Sequence, residues 1–181
     1  MKVIKSIETN DSILTYSNIA EDEHPVWVSG VSYTALDRVI YQHKIYERII
    51  TGAGTTTPDL DQVNWMYLSY TNKYRMFDNI LSNTSDQVGG IHFTLTPNQL
   101  VDSIVLLGVN AVQVRVIMTD PIFGVVYDQI RHMTTLDAIV DYYTYFFSDV
   151  QSSSPNAVFT GLPIMPTATI DVYVDNGTGL A

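Results

Sequence analysis

The sequence lacks cysteine: none of its 181 residues is Cys. This absence excludes a disulfide framework, a zinc site built on thiolates and a catalytic cysteine. No run of about 18 apolar residues is present either, so we expect no helix that spans a membrane. Lys, Glu, Asn and Asp interrupt the apolar residues near the N-terminus, and we therefore expect no signal peptide and synthesis in the cytoplasm.

Basic residues are also few. Nine Lys and Arg stand against nineteen Asp and Glu, which gives a formal net charge of −10 and an isoelectric point near 4.5. Such a field repels phosphate backbones, so we expect no nucleic acid among the partners. Charged residues make up only 15% of the chain and hydrophobic residues 46%, which is typical of a globular protein.

The residue types that carry common catalytic chemistry do not form motifs. The four histidines are far apart in the chain, and none has the spacing of a paired metal ligand, so we predict no metal site. Asp59 and Asp61 form a DxD pair without the further acids of a calcium loop, and we interpret them as residues that cap turns. There is no GxSxG motif, and GAGT from Gly52 lacks the Lys of a phosphate-binding loop. We therefore predict no enzyme and no cofactor, while a carboxylate pair for glycoside hydrolysis stays open.

Strand signals dominate the sequence. Short β-branched or aromatic segments bounded by Gly, Pro, Asn or Asp recur along the chain. In AVQVRVIMT, Val112, Val114, Val116 and Met118 alternate with Gln, Arg and Ile, which predicts a strand half-buried in an antiparallel sheet. The segment 135–147, TLDAIVDYYTYFF, fits either a helix or an extended segment. The fold class is therefore predicted to be all-β.

Composition divides the chain into three regions. Residues 1–24 form either a strand or an arm that reaches a partner. Residues 25–70 are predicted to be a small aromatic-rich β module with a hairpin in VIYQHKIYERII. Residues 71–181 carry strands at short spacing, which predicts an antiparallel β-sandwich or jelly roll. The last strand is followed almost at once by the chain end, so we expect a longer natural protein, or a processed product.

The aromatic residues of the module have two interpretations. Flat rings on a rigid β scaffold stack on sugar rings, which makes Trp27, Tyr33, Tyr46 and Trp65 candidate carbohydrate-binding residues, with Trp27 and Tyr33 first. A small module also needs its aromatics as core, because it has few aliphatic residues. In that interpretation Trp65 packs against the hairpin that carries Tyr41 and Tyr46. Both interpretations hold at this point.

The segment TNKYRMFD, from Thr71, joins the module to the rest of the chain. Tyr74, Met76 and Phe77 are predicted to pack between the two domains. Arg75 is a candidate ion-pair partner for Asp78 or for another carboxylate of this bridge.

One stretch of the module resembles a known family. It reads WVSGVSYTALDRVIYQHKIYE from Trp27, then a Gly/Thr loop, then PDL from Pro58 and finally Trp65. This order resembles the small chitin-binding modules of carbohydrate-binding families 5 and 12. The chain departs from that pattern at Ala35-Leu36-Asp37, where the family usually has Gly before Asp.

Later blocks extend the resemblance. They are TNKYRMFD from Thr71, VDSIVLLG from Val101, DYYTYFF from Asp141 and ATIDVYV from Ala168. Their order is similar to that of a family of tailed-bacteriophage virion proteins, in which a module of this kind precedes a galactose-binding-like β-sandwich. The resemblance implies a structural component of the tail, baseplate or fibre attachment, made in the host cytoplasm and located in the virion. Its implied partners are other virion proteins in a symmetric homo- or hetero-oligomer. A host-surface glycan-binding module is the alternative function, and a polysaccharide depolymerase is a further one.

Overall fold

The fold is that of a computed structural model, which describes residues 7–78, 80, 82–133 and 155–177. These residues form twelve strands and one short helix, which confirms the all-β class. The strands are β1 Leu14–Ser17, β2 Ser32–Tyr33, β3 Arg38–Tyr41, β4 Lys44–Arg48, β5 Gly52–Ala53, β6 Trp65–Tyr70, β7 Ile91–Leu95, β8 Ser103–Leu106, β9 Gln113–Asp120, β10 Gly124–His132, β11 Ala157–Thr160 and β12 Thr169–Asp175, and the helix is α1 Asn72–Arg75. Within the described ranges, no helix has the length and apolar character needed to cross a membrane.

The described chain divides into two compact units. The first, which we call the sheet unit, comprises the residues up to Asn18 and those from Gln87 onward. The second, the module, is Ile19–Asp86. The predicted boundary after residue 70 therefore falls inside the module, which also includes α1. Residues 135–147, whose conformation the sequence left open, lie outside the described residues.

The sheet unit is built on a five-stranded antiparallel sheet with the strand order β1-β7-β12-β9-β10. β9 shows the predicted alternation at Val114, Val116 and Met118, which are buried while their neighbours are only half-buried. Val112, predicted to share their face, precedes the strand and is 37% exposed. Ile170 and Val172 of β12 are buried in the same alternating way. Period-two burial of this kind arises because successive side chains of a strand point to opposite faces. A separate antiparallel pair, β8 and β11, buries Phe159.

The N-terminal region contributes to this sheet. β1 pairs antiparallel with β7, so Leu14–Ser17 is a strand of the sheet, one of the two alternatives for residues 1–24. The pairing is extended by Asn18, whose side chain accepts from the backbone N–H of His92 at 3.0 Å and donates to the carbonyl of Gly90 at 3.1 Å. The module is thus inserted in the chain between two strands that are neighbours in one sheet.

The module is built on a three-stranded antiparallel sheet, β3-β4-β6, with a small pair, β2 and β5. The predicted hairpin is confirmed. Its turn is two residues long, because Lys44 already belongs to β4, and both Gln42 (φ 48°) and His43 (φ 62°) have left-handed backbone. Such a turn matches the twist of the strands but strains residues other than Gly or Asn. Contacts hold His43 there, because its ring stacks on Tyr74 at 4.0 Å and its Nδ1 lies 3.0 Å from the Glu21 carboxylate.

Asn72 ties the two ends of the module together. Its backbone N–H donates to the carboxylate of Glu23, near the start of the module. Its side chain pairs with the backbone of Asp86, at the end of the module, by accepting at 2.8 Å and donating at 2.6 Å. Asn72, which follows β6, therefore binds both the segment that enters the module and the segment that leaves it.

The central strands of the sheet unit generate a first prediction. Ile170, 1% exposed, pairs with Leu95 and Met118 in the middle of the five-stranded sheet. Ile170→Val removes one buried methyl group and should lower the free energy of unfolding by about 0.5–1.5 kcal/mol. The same change at Ile130, 48% exposed on β10, should alter it by less than about 0.5 kcal/mol. Urea denaturation followed by circular dichroism measures both, and equal losses would contradict the core position of Ile170.

Candidate ligand-binding site

One face of the module sheet collects its large aromatic side chains. Alternation places Tyr46 and Arg48 on the same face of β4, and Trp65 and Tyr67 on the same face of β6. The strand register then sets Arg48 opposite Trp65 and Tyr46 opposite Tyr67. The rings of Tyr46 and Tyr67 meet edge to face at 6.0 Å. Tyr70 continues the row, with its ring 6.3 Å from that of Tyr67.

A buried arginine organises this face. Arg48 is 4% exposed, and its guanidinium carbon lies 4.9 Å from the centre of the Trp65 ring. Its Nε donates to the carbonyl of Ile50 at 2.7 Å and its Nη2 donates to that of Gly52 at 3.2 Å. Buried charge is tolerated only when its donors are satisfied. The guanidinium thus joins the loop after β4 to the aromatic core.

The four rings predicted to bind carbohydrate do not form one surface. Tyr46 (5% exposed) and Trp65 (3%) are core residues together with Val39. Arg48 covers one face of Trp65, and Tyr33 approaches that ring edge to face at 5.2 Å. This burial corrects the expectation that Tyr46 and Trp65 offer a face for stacking. The alternative, in which Trp65 packs against the hairpin with Tyr46, is the observed one.

The other two predicted rings are half-buried. Trp27 packs against the same core and meets Tyr41 edge to face at 5.5 Å. The hydroxyl oxygen of Tyr33 accepts from the backbone N–H of Val28 at 2.8 Å. Both rings therefore support the β2 end of the module, and neither lines the concavity described next.

An open cleft of 320 Å³ lies beside the aromatic face, between the strands and the loop of residues 58–62. This volume is at the lower end of the range of about 300–1,000 Å³ in which small-molecule sites occur. The lining combines aromatic, amide, thioether and carboxylate groups from Tyr46, Ile49, Pro58, Asp59, Gln62, Trp65, Met66 and Tyr67. Among these residues Tyr46 and Trp65 are buried, while Tyr67 is 44% exposed.

The two acids of the DxD pair have different roles. Asp61 accepts from the side-chain amide of Asn64 at 2.9 and 2.8 Å, and from its backbone N–H at 3.4 Å, so it caps the turn as predicted. Asp59 lines the cleft instead. Its Oδ1 is buried and has no hydrogen-bond partner among the described residues. The turn interpretation is therefore right for Asp61 and wrong for Asp59.

Tyrosine hydroxyls in and beside the cleft remain protonated at neutral pH. Burial raises the pKa of Tyr46, and the negative charge of Asp59 raises it further. Burial also raises the pKa of Tyr67, with smaller contributions from Tyr70 and Asp78. The cleft therefore presents neutral hydroxyl donors and one carboxylate acceptor, which suits a polyhydroxylated or donor-rich ligand.

The sequence indicated only part of this site. Tyr67 was missed, although period-two alternation in WMYLSY places it on the same face as Trp65. Gln62 and Met66 carry no signal of their own, because only the path of the loop brings Gln62 to the strands. Among the described residues, no three His, Asp or Glu side chains come together as they would around a metal ion.

The residues predicted to pack between domains lie in the module. Tyr74, in α1, is buried and stacks on His43, while Met76 and Phe77 are half-buried. Arg75 donates from its Nε to the carbonyl of Tyr70 at 3.1 Å. The role of Tyr74, Met76 and Phe77 between domains stays a prediction.

The buried guanidinium generates a second prediction. Arg48→Met keeps an apolar side chain over Trp65 but removes the charge and both donated hydrogen bonds, and should destabilise the module by about 1–3 kcal/mol. Arg38→Met, which breaks the half-exposed ion pair with Glu47 at 2.9 Å, should cost only about 0.2–1 kcal/mol. Tryptophan fluorescence during urea denaturation reports the module selectively, because both tryptophans lie in it. A smaller loss for Arg48→Met than for Arg38→Met would contradict the organising role of Arg48.

No protein-family model matches this chain, and neither curated proteins nor solved structures give a significant match. The candidate site accordingly depends on the geometry of the chain's own residues.

Proposed function

We propose that this chain is a non-enzymatic structural subunit of a bacteriophage virion, in the tail, baseplate or fibre attachment, that acts by assembly with other virion proteins. The resemblance of its ordered sequence blocks to a tailed-phage family supports the virion assignment. The predicted β-sandwich belongs to the same proposal. The observation that carries the assembly part is an exposed apolar hairpin tip in the sheet unit.

The hairpin tip joins β9 to β10 and consists of Pro121, Ile122 and Phe123. Ile122 is 83% exposed and Phe123 is 71% exposed, and Val125, just inside β10, is 62% exposed. Isolated exposed apolar residues are common on soluble proteins, but contiguous ones mark interaction surfaces. The tip therefore supports contact with a protein partner.

The tip is held in place by Asp120, which is 5% exposed. Its Oδ1 accepts from the backbone N–H groups of Ile122 at 2.9 Å and Phe123 at 3.1 Å, and its Oδ2 accepts from the Thr167 hydroxyl at 3.0 Å. These hydrogen bonds lower the pKa of Asp120 below its ordinary 3.8, and the bond from Ile122 has the largest effect. The carboxylate is therefore ionised at neutral pH. A preorganised apolar tip loses little conformational freedom on binding.

Strand β10 extends the same surface. It is nine residues long, mostly exposed, and in the described sheet it has a single neighbour, β9. Edge strands of this kind offer backbone groups for pairing with another chain. Hairpin tip and edge strand together suit a subunit that is surrounded by others, whose obligate interfaces commonly bury about 2,000 Å² or more.

The module cleft favours a second candidate function, contact with a host-surface glycan. Tyr67 presents an exposed ring beside the carboxylate of Asp59 and the amide of Gln62. Aromatic faces with nearby hydrogen-bonding groups are the usual means of holding a sugar ring. A depolymerase fits this cleft less well, because its lining contains one carboxylate and glycoside hydrolysis uses two.

The hairpin tip generates a third prediction. Ile122→Ser with Phe123→Ser removes two apolar anchors, each worth about 1 kcal/mol or more in a buried interface, so association should weaken at least about fivefold per residue. Leu107→Ser, which changes a residue that is 54% exposed outside the tip, is the matched control. Sedimentation velocity of the purified chain measures its oligomeric state. Mass spectrometry of purified particles measures how much of each variant is incorporated. Normal incorporation of the double variant would contradict assembly through the tip.

The glycan candidate generates a fourth prediction. Tyr67→Ala removes the exposed ring and should weaken saccharide binding about tenfold, since a stacked aromatic contributes about 0.5–1.5 kcal/mol beyond the area that it buries. Tyr67→Phe keeps the ring and should retain most of the affinity. Calorimetric titration with envelope-type oligosaccharides gives the affinities, and thermal unfolding verifies that both variants are folded. Equal affinities for Ala and Phe at this position would place the ligand elsewhere.

A further inference from the structure

We propose that strand β10 pairs antiparallel with β10 of a second copy of this chain, with Gln129 of both copies on the two-fold axis. The inference rests on the assembly function proposed above and deepens it, because it names the partner and the residues that meet. Its starting point is a long strand at the edge of the five-stranded sheet, whose charged side chains are engaged within their own unit.

Strand β10 has a regular free edge. In the described sheet its single neighbour is β9, and the pairing with β9 is regular from Tyr127 to His132. The bulge of this pair lies near the other end of the strand, between Val125 and Tyr127. Residues 128–132 are exposed. An edge of this kind presents a row of backbone groups to which another strand can bond.

The hydrogen-bond pattern shows which backbone groups point outward. The backbone N–H of Met133 donates to the carbonyl of Val112 at 2.8 Å, just beyond the end of β10. In an antiparallel ladder, hydrogen-bonded pairs alternate with non-bonded pairs. Counted back from Met133 along the register, the backbone groups of Gln129 point to β9 and those of Asp128 and Ile130 point to the free edge. An arriving strand can therefore bond to Asp128 and Ile130.

The charged side chains of β10 do not block this edge. Charged residues commonly protect edge strands from pairing. Asp128 instead accepts from Nε and Nη2 of Arg115 on β9, at 2.9 and 2.7 Å. The guanidinium carbon of Arg131 lies 5.8 Å from the centre of the Phe159 ring on β11. Both charges are thus paired or packed within the sheet unit, which leaves the edge open to a strand.

The charge of the edge favours a second copy as its partner. Because Arg115 neutralises Asp128, the charge that remains at the exposed part of β10 is the positive charge of Arg131. The chain as a whole carries nineteen acidic residues against nine Lys and Arg. A second copy is therefore an acidic partner for a locally basic edge, and opposite charge favours their encounter.

The strand is self-complementary about Gln129. Residues that face each other in an antiparallel pair point to the same side of the sheet, so the two-fold axis passes through a residue. With Gln129 on the axis, Tyr127 of each copy lies opposite Arg131 of the other, which suits a cation–π contact. The two Gln129 amides face each other, and each supplies both a donor and an acceptor.

The neighbouring registers are less favourable. An axis at Asp128 sets two carboxylates directly opposite each other, which is destabilising. An axis at Ile130 pairs only residues 128–132 of each β10, whereas the axis at Gln129 pairs residues 126–132. The register centred on Gln129 is thus the longer of the two that avoid the carboxylate pair.

The same register brings the hairpin tips into the interface. Residue 126 lies opposite His132 of the second copy, so the tip at Ile122 and Phe123 extends past the end of that copy's β10. Pairing of two short strands alone buries less than the roughly 1,200–2,000 Å² of a stable interface. The two tips, with Ile122 83% exposed and Phe123 71% exposed, supply further apolar area.

The test uses the absence of cysteine from the chain. Gln129→Cys places one thiol of each copy on the axis, in a non-bonded pair with Cα atoms about 4.5 Å apart, within the range of about 4.4–6.8 Å that a disulfide spans. Ile130→Cys reports the neighbouring register, and Gln99→Cys, at an exposed position outside β10, reports random collision. Each variant is oxidised with oxidised glutathione and analysed by non-reducing electrophoresis. Gln129→Cys should give at least about tenfold more dimer than either control, because pairing raises the effective concentration of the thiols.

A charge variant tests the association itself. Gln129→Lys sets two ammonium groups opposite each other on the axis and should raise the dissociation constant of the dimer at least about tenfold. Gln99→Lys changes the net charge equally at an exposed position and should leave the dissociation constant unchanged. Sedimentation equilibrium measures both constants, and thermal unfolding verifies that both variants are folded.

Each outcome decides one statement. A chain that stays monomeric at millimolar concentration, or no more dimer from Gln129→Cys than from Gln99→Cys, overturns the pairing. A larger yield from Ile130→Cys overturns the register. Equal weakening by the two Lys variants shows a general charge effect and also overturns the pairing. Mass spectrometry of particles tests the virion function separately: if the chain is present in particles but does not cross-link, only the pairing fails, whereas its absence from particles overturns the virion function.

Discussion

The module depends on one contact, the guanidinium of Arg48 against the ring of Trp65. Removing a charged group from water is costly, and the cost is offset here by two backbone carbonyls and by an aromatic face. Because those carbonyls belong to Ile50 and Gly52, the same contact fixes the path of the chain after β4. The contact therefore joins strand, loop and core in a unit with few aliphatic side chains.

This arrangement also decides which groups remain for a ligand. Arg48 and Tyr33 occupy Trp65, and Tyr46 is enclosed between neighbours, so neither core ring is free. Tyr67 lies two residues after Trp65 on the same face of β6, and it is outside the buried core and exposed. The aromatic core and the aromatic part of the cleft are consequently made by the same face of one sheet, and burial decreases from Trp65 to Tyr67.

The sequence predicted the parts of the fold that depend on local periodicity. The alternation of Val114, Val116 and Met118, and the hairpin around Gln42, follow from strand geometry and were confirmed. The roles of Trp65 and Asp59 depend on contacts between residues distant in sequence, such as the packing of Arg48 on Trp65. Such contacts cannot be predicted from the local pattern of a single sequence. Asp59 and Asp61 look equivalent in a DxD pair, and only the turn distinguishes the acid that bonds to Asn64 from the acid that faces the cleft.

The bonds of Asn72 to Glu23 and Asp86 have a consequence for how this protein is put together. They close the module on itself at the place where the chain leaves and re-enters the strands β1 and β7, which pair with each other. A segment whose two ends are close and bonded together can be inserted, deleted or exchanged between two paired strands without breaking their pairing. The module is in this sense a cassette: its surface can diversify while the sheet that carries it is retained.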